Sequence, residues 1–255
     1  MRRRIVCSSW KMHINSLEAG TALARDIAGE ITKMTCNIDI FILPAFPIIP
    51  AVSDIFHNTP IKWGAQNVAF LEQGALTGEV PPDLLTGLSC TYVEIGHAER
   101  RQYFSETDTI VNQKVKLCLQ YGLVPIICLG ETAEDIGNNT AKVRLQSQVL
   151  WALNEIPQEK MTQVIFAYEP VWAIGKEKAA QVDYVENMHG HIRNVISQNF
   201  GSTIAEETRI IYGGSVSPDS AVDLSKQENV DGVFVGRYGL KADNFARIVR
   251  AFNEL

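Results

Sequence analysis

Ile5-Val6-Cys7-Ser8-Ser9-Trp10-Lys11 decides how the rest of the chain is read. Three apolar, partly β-branched residues form a short strand pattern. The pattern ends in two serines, a tryptophan and a lysine, with no glycine among them. A dinucleotide-binding α/β sheet would place Gly-x-Gly-x-x-Gly here, where the backbone must approach a pyrophosphate. That fingerprint is absent, and no Walker-type glycine loop occurs anywhere in the sequence. Seven further runs of the same kind follow, at residues 38–43, 61–65, 92–95, 124–128, 164–167, 209–212 and 232–235. Most are continuously apolar rather than alternating, as strands covered on both faces are.

Helical periodicity stands between the runs. Leu17, Leu23, Ile27 and Ile31 follow the cap signal of Ser16. Ile110, Val111, Val115, Leu117 and Leu119 mark 107–121, and Val143, Leu145, Val149, Leu150 and Leu153 mark another helix. Ser217-Pro218-Asp219 is an N-cap with proline at the first helical position. Phe245, Ile248, Val249 and Phe252 share one face of 243–253, and shorter helices are expected near 47–56 and 82–88. Strand alternating with helix fits an open doubly wound sheet or a closed barrel. The count favours closure: 255 residues over eight units is about 32 each, one strand-plus-helix repeat. The expectation is an α/β fold, a single-domain (β/α)8 barrel over residues 1–255.

Composition removes several classes. Apolar residues make up 46% and charged residues 20%, which excludes a disordered or collagenous chain. The net charge of -6 speaks against nucleic acid or an anionic membrane as partner, though not against one small anion held by a local field. Cys7, Cys36, Cys90, Cys118 and Cys128 are odd in number and widely spaced, which predicts reduced thiols rather than a disulfide framework. No Cys-x-x-Cys or His-x-x-x-His pair suggests a metal, and His189-Gly190-His191 reads as solvated. No signal-peptide core follows the basic start, and the uncharged run at 40–53 is too short for a bilayer and broken by Pro44, Pro47 and Pro50. A cytoplasmic protein is expected.

In such barrels the chemistry sits where strands end. Ser8-Ser9-Trp10-Lys11 follows the first strand and Gly96-His97-Ala98-Glu99-Arg100-Arg101 the fourth. Tyr168-Glu169-Pro170-Val171-Trp172-Ala173-Ile174-Gly175 follows the sixth. Tyr212-Gly213-Gly214-Ser215-Val216 ends the seventh and Val235-Gly236-Arg237 the eighth. Singly, each has a plain reading: a solvated lysine, a structural histidine, a glutamate closing a turn, a tight glycine connection. Together they put a cation, an imidazole, a carboxylate and two glycine turns on one rim. Turns after the seventh and eighth strands are where barrel enzymes hold phosphate on backbone N–H groups.

These motifs resemble the triosephosphate isomerase family, over nearly the whole chain. Gly64-Ala65-Gln66-Asn67 and Gly74-Ala75-Leu76-Thr77-Gly78-Glu79 resemble its dimer loop. The resemblance implies a cofactor-independent aldose–ketose isomerase that interconverts D-glyceraldehyde 3-phosphate and dihydroxyacetone phosphate through an enediolate. It implies Glu169 as base, His97 as donor to the carbonyl oxygens and Lys11 as a fixed positive charge. Phosphate would rest on the backbone of Gly175, Ser215, Gly236 and Arg237, with Ser9 beside the substrate. Residues 170–180 would form a lid carrying Pro170, Trp172 and Ile174. Trp172 would pair with Glu131 on closure, and Tyr212 and Ser215 would hold the closed loop. Thr77 would cross a homodimer interface.

Four positions depart from the family pattern. Ser9 stands where asparagine is usual, and its hydroxyl donates only one hydrogen bond. Ala98 replaces a serine, Lys176 and Glu177 put charge on the lid, and Arg237 replaces a glycine. Ser9 and Arg237 resemble a paralogous branch that isomerises L-erythrulose 1-phosphate, a four-carbon ketose phosphate, which is the alternative substrate. A phosphate-binding regulatory barrel with little turnover is the remaining reading. Glu94 interrupts an apolar strand, and a hydrogen-bonded place facing the helices is expected for it.

Overall fold

The computed structural model describes residues 2–174 and 179–254. Its eight strands are β1 (Ile5–Ser9), β2 (Asp39–Leu43), β3 (Ile61–Ala65), β4 (Tyr92–Ile95), β5 (Val124–Leu129), β6 (Ile165–Tyr168), β7 (Arg209–Gly214) and β8 (Gly232–Val235). They pair in parallel and in chain order, and β8 returns to β1 in the register Ile5↔Gly232 to Ser8↔Val235. The sheet is therefore a closed (β/α)8 barrel, as the run count predicts. Several strands continue past the apolar runs toward the carboxyl ends. Ser9 pairs with Leu43 and Gly214 with Val235, because ladder pairing needs backbone groups and not apolar side chains.

Successive strand residues point to opposite faces, and this splits the core in two. Ile5, Cys7, Phe41, Tyr92, Ile126, Ile165, Ile211 and Phe234 fill the barrel, where the Phe41 and Tyr92 rings stack 3.8 Å apart. Val6, Ile40, Val93, Phe166 and Val233 point outward into a larger layer under the helices. That layer is covered in chain order by α1 (Leu17–Ile31), α2 (Ile49–Phe56), α3 (Pro82–Gly87), α4 (Ala98–Phe104), α5 (Asp108–Gln120) and α6 (Ala133–Gly137). It continues with α7 (Ala141–Ala152), α8 (Gln158–Met161), α9 (Val182–Phe200), α10 (Ser202–Glu207), α11 (Pro218–Ser225) and α12 (Ala242–Asn253). The expected caps are present: Ser16 Oγ accepts from Ala19 N at 3.1 Å, and Ser217 Oγ from Ser220 N at 3.1 Å. Each such cap contributes about 1 kcal/mol.

The same two-residue period corrects the reading of Glu94. Tyr92 faces the barrel interior, so Glu94, two residues on, faces it too, while Val93 and Ile95 meet the helices. The inward positions turn polar toward the carboxyl ends: Ser9 follows Cys7, Glu94 follows Tyr92, and Glu169 follows Ala167.

His189 is a second correction. It is fully buried on the inner face of α9, with Val185, Met188, Ile192 and Ile196. Its ring meets Tyr168 edge-on at 5.5 Å, and Nδ1 lies 3.2 Å from Asn229 O. Burial pushes its pKa down to about 3. His191, on the flank of the helix, is half-buried with Nε2 3.0 Å from Lys142 O. Cys7, Cys90, Cys118 and Cys128 are buried and Cys36 half-buried, all as free thiols. Among the described residues no helix is long and apolar enough to cross a membrane.

Candidate active site

Beyond β1 the backbone makes a turn that an L-residue rarely adopts. Lys11 has φ 48°, in the left-handed region, at a cost of about 1–2 kcal/mol. Gln66 Nε2 holds the turn, donating to Lys11 O at 3.1 Å and to Leu43 O at 2.9 Å. The ammonium reaches back to Glu99 Oε1 at 2.8 Å. Burial lowers the pKa of Lys11, but Glu169, Glu99 and Glu94 outweigh it, and the net shift is upward. The lysine is therefore a permanent cation at neutral pH.

Past β4 the chain turns at Gly96, with φ 72°. Both of its peptide groups are clamped. Gly96 N donates to Glu106 Oε1 at 2.8 Å, and its carbonyl accepts from Arg101 Nε at 2.7 Å. Glu106 is in turn paired with Lys114 at 2.7 Å and Arg100 at 2.7 Å, both acid and lysine almost fully buried. This fixes the next residue, His97, at the start of α4. Its Nδ1 accepts from Glu99 N at 3.1 Å, so the proton sits on Nε2, which faces the cavity. The amide of the first helical turn thus selects the tautomer.

Glu169 ends β6 and is buried. Its Oε2 lies 3.5 Å from His97 Nε2 and has no hydrogen-bond partner among the described residues. Gly213 on β7 packs directly against it: a Cβ there would stand 2.6 Å from Glu169 Cγ and 2.8 Å from Oε1. Ser9 Oγ donates to Glu94 Oε2 at 2.9 Å, across the barrel floor. Burial raises Glu94 to about 7; nearby His97 and Lys11 and the Ser9 bond oppose this, and Glu169 adds to it.

These groups line one cavity of about 320 Å³, at the low end for a small-ligand site. Ser9, Lys11, His97, Glu169, Ile174, Ser215, Gly236 and Arg237, all singled out in the sequence, meet there. Glu94 and Glu99 meet there as well. The first is assigned to the interior only once the barrel closes, and the second occupies the first turn of α4. Gly175, Lys176 and Glu177 lie outside the described residues. Pro170, Trp172, Glu131 and Tyr212 stand behind the cavity wall. Glu131 is fully buried, and its Oε1 accepts from Trp172 Nε1 at 2.8 Å, Tyr168 OH at 3.0 Å and Tyr184 OH at 2.9 Å. Trp172 and Glu131, expected to pair on closure, are therefore bonded here, and Tyr184 is a partner the sequence did not suggest. Tyr212 is buried on β7. Ala98, which begins α4, carries no hydroxyl. Thr77 is exposed and away from the cavity.

A parallel barrel whose cavity opens at the carboxyl ends of its strands has the architecture of the barrel enzymes. Comparison with known proteins narrows the class to isomerases. Residues 4–252 match the family described as Triosephosphate isomerase. A triosephosphate isomerase of Fusobacterium nucleatum is 41% identical over 254 residues, 99% of this chain and 100% of the relative. Those of Clostridium tetani, 38% identical over 98% of this chain and 96% of the relative, and Chloroflexus aurantiacus, 40% over 98% and 99%, align as fully. The chain belongs to the triosephosphate isomerase family, and it is an enzyme of the isomerase class.

Proposed function

We propose that one barrel unit across the chain interconverts D-glyceraldehyde 3-phosphate and dihydroxyacetone phosphate through an enediolate, without a cofactor. The observation that carries this reading is Glu169 Oε2 facing His97 Nε2 at 3.5 Å inside the cavity. A carbon beside a carbonyl is a weak acid, so its proton moves only if a base takes it while the carbonyl oxygen is stabilised. Glu169 removes the proton from one carbon and returns it to the neighbour; a positioned base contributes roughly 10²–10⁴-fold. The Nε2 proton of His97 is aimed at the developing oxyanion. Lys11 adds a cation that needs no reorganisation as charge appears.

The phosphate rests on backbone N–H groups of Ser215, Gly236 and Arg237 at the ends of β7 and β8, with Gly175 joining them from the lid. Residues 170–180 close over the substrate, which keeps water from an intermediate prone to lose its phosphate. The Trp172–Glu131 bond supports this role for the lid. The exposed Thr77 supports a homodimer through the loop after β3, and the free thiols support a cytoplasmic setting. The partner is a small phosphorylated sugar.

Glu169→Gln tests the reading. It keeps the shape of the side chain and removes its basicity. The expected outcome is a kcat at least about a hundredfold lower with substrate binding retained. Unchanged turnover would take Glu169 out of the base role. Binding of a sugar phosphate by the natural chain without turnover would point to a regulatory barrel instead. The alternative substrate is a four-carbon ketose phosphate such as L-erythrulose 1-phosphate, supported by Ser9 and Arg237, both of which line the cavity.

A further inference from the structure

The reaction above uses the backbone N–H of Arg237 and leaves its guanidinium without a task. Arg237 also lines a second cavity, of about 570 Å³, together with Ser217, Ser220, Tyr238, Lys241 and Asn244. Ser215, Arg237 and Tyr238 border both cavities, so the second adjoins the first at the ends of β7 and β8.

The chain holds the two cations of this cavity in place. Arg237–Leu240 is a single 3-10 turn after β8, closed by Gly239 N donating to Gly236 O at 2.8 Å. A Cβ at Gly239 would collide with Ser8 Oγ, so the turn is packed onto β1. Arg237 begins the turn, and Lys241 follows it as the N-cap residue of α12.

Both cations stand without a counter-charge. The chain carries 29 acidic residues against 23 lysines and arginines. Yet no acid among the described residues lines this cavity, and neither Arg237 nor Lys241 has an ion pair among them. Asp219, in the first turn of α11, is held by Arg247 at 3.1 Å. Asp243 lines a separate groove with Arg25 and Lys33, which Lys241 also borders. Two like charges on one wall repel unless an anion is placed with them.

The donors define the anion. The first turn of α11 is satisfied by its own side chains: Ser217 Oγ accepts from Ser220 N at 3.1 Å, and Ser220 Oγ accepts from Ser217 N at 2.9 Å. A ligand here is therefore held by the guanidinium, the ammonium and the amide of Asn244. A guanidinium grips a phosphate with two parallel N–H bonds, and an ammonium adds a point charge. A phosphate has oxygens enough for all three donors, and the cavity has room for a small organic group attached to it.

We infer that this cavity is a second anion site, which takes a phosphate group, free or carried by a small metabolite, and that its occupant weakens substrate binding through the shared Arg237. Two phosphates beside one arginine repel each other and divide its attraction. Each then lowers the affinity of the other by the same factor. The site stands without the isomerase reading. The coupling rests on that reading, which puts the substrate's phosphate at the ends of β7 and β8.

The test is calorimetric titration at fixed ionic strength with inorganic phosphate and with glycerol 2-phosphate, on the natural chain, Lys241→Met and Lys241→Glu. Lys241 is exposed and makes no side-chain cap, so both variants fold. Without added phosphate they keep kcat and KM within about twofold. The natural chain takes up two phosphates. In Lys241→Met one of them binds about fivefold more weakly, the upper span for an exposed charge pair, and in Lys241→Glu about 25-fold, the same step taken twice. A loss seen with inorganic phosphate assigns the free anion; a loss seen only with glycerol 2-phosphate assigns a phosphate ester. Isotherms identical among the three chains for both probes overturn the site. In turnover of dihydroxyacetone phosphate, inorganic phosphate raises the apparent KM with the square of its concentration in the natural chain and in direct proportion in Lys241→Glu. Direct proportion in both overturns the coupling. A chain inactive on triose phosphates that still takes up two phosphates overturns the isomerase reading and leaves the site standing.

Discussion

Replacing Gly213 by alanine tests how closely the carboxylate of Glu169 must be placed. Gly213 is not among the glycines at positive φ, so alanine meets no backbone penalty there. What it meets is the Glu169 side chain. The added Cβ would stand 2.6 Å from Glu169 Cγ, 2.8 Å from Oε1 and 3.1 Å from Cδ. Carbon atoms pack at about 3.5–4.0 Å, so Cγ must retreat by roughly 1 Å. A misplacement of about 1 Å costs on the order of 10²-fold in rate. Overpacking in a filled interior costs about 1–3 kcal/mol, or roughly 2–12 °C in Tm at this chain length. The expected result is a folded enzyme with kcat about a hundredfold lower on dihydroxyacetone phosphate. Gly29→Ala, on α1 with nothing within 4 Å of the new Cβ, is the control and should keep full activity. A Gly213→Ala enzyme within threefold of the natural kcat would show that Glu169 does not need the position described, and the placement of the base would fall.

Three further outcomes follow from partners already described. Glu106→Ala strands the buried Lys114 ammonium and the Gly96 N–H, so thermal unfolding should drop by about 6–20 °C, the equivalent of roughly 3–5 kcal/mol; a drop under about 3 °C would contradict this. Trp172→Phe removes one of three donors to Glu131 and should lower kcat/KM about tenfold; unchanged kinetics would separate that bond from the working of the lid. Glu94 is raised from an ordinary value near 4.5 to about 7, so its contribution to stability is present below 4.5 and lost as pH rises through 7. His189 is lowered from 6.5 to about 3, so its contribution is present above 6.5 and lost as pH falls toward 3. The two slopes oppose between pH 4.5 and 6.5, each at most about 1.4 kcal/mol per pH unit. His189→Leu should therefore leave a stability, read by urea unfolding, that falls with rising pH more steeply than in the natural chain; equal slopes would refute the assignment.

The eight strands were legible because a parallel strand buried on both faces has to be apolar. The rim residues were legible because polar residues break those runs at the same end each time. The same apolarity hid Glu94. With hydrophobic residues on both sides of a strand, alternation no longer marks which face is inside, and only closure of the barrel assigns it. His189 was misread from its own polarity. Its neighbours at three- and four-residue spacing, Val185, Met188, Ile192 and Ile196, place it on the covered face of α9. The three donors that converge on Glu131 come from positions 168, 172 and 184. No local pattern joins them, because the contact exists only once β5 lies beside β6.

Residue type alone does not separate the working end of this barrel from the other. The amino-terminal end also carries acids and bases, and there they are matched. Asp231 accepts from Arg2, from Arg193 at 2.8 Å and from Ile210 N at 2.7 Å. Asp39 is paired with Arg3 at 2.8 Å and Arg209 at 2.6 Å. At the carboxyl end, among the described residues, Glu169 Oε2 is buried without a hydrogen-bond partner and Glu94 has only a serine. Breaking a buried pair costs about 3–5 kcal/mol, so doubly paired carboxylates are what a chain under selection for stability alone retains. Carboxylates left under-partnered in the interior are a standing cost to the fold. They persist where a ligand supplies the missing partner, as the substrate does for Glu169 in the proposed reaction. It is the degree of pairing, read from the folded chain, that sets the acids inside the cavity apart.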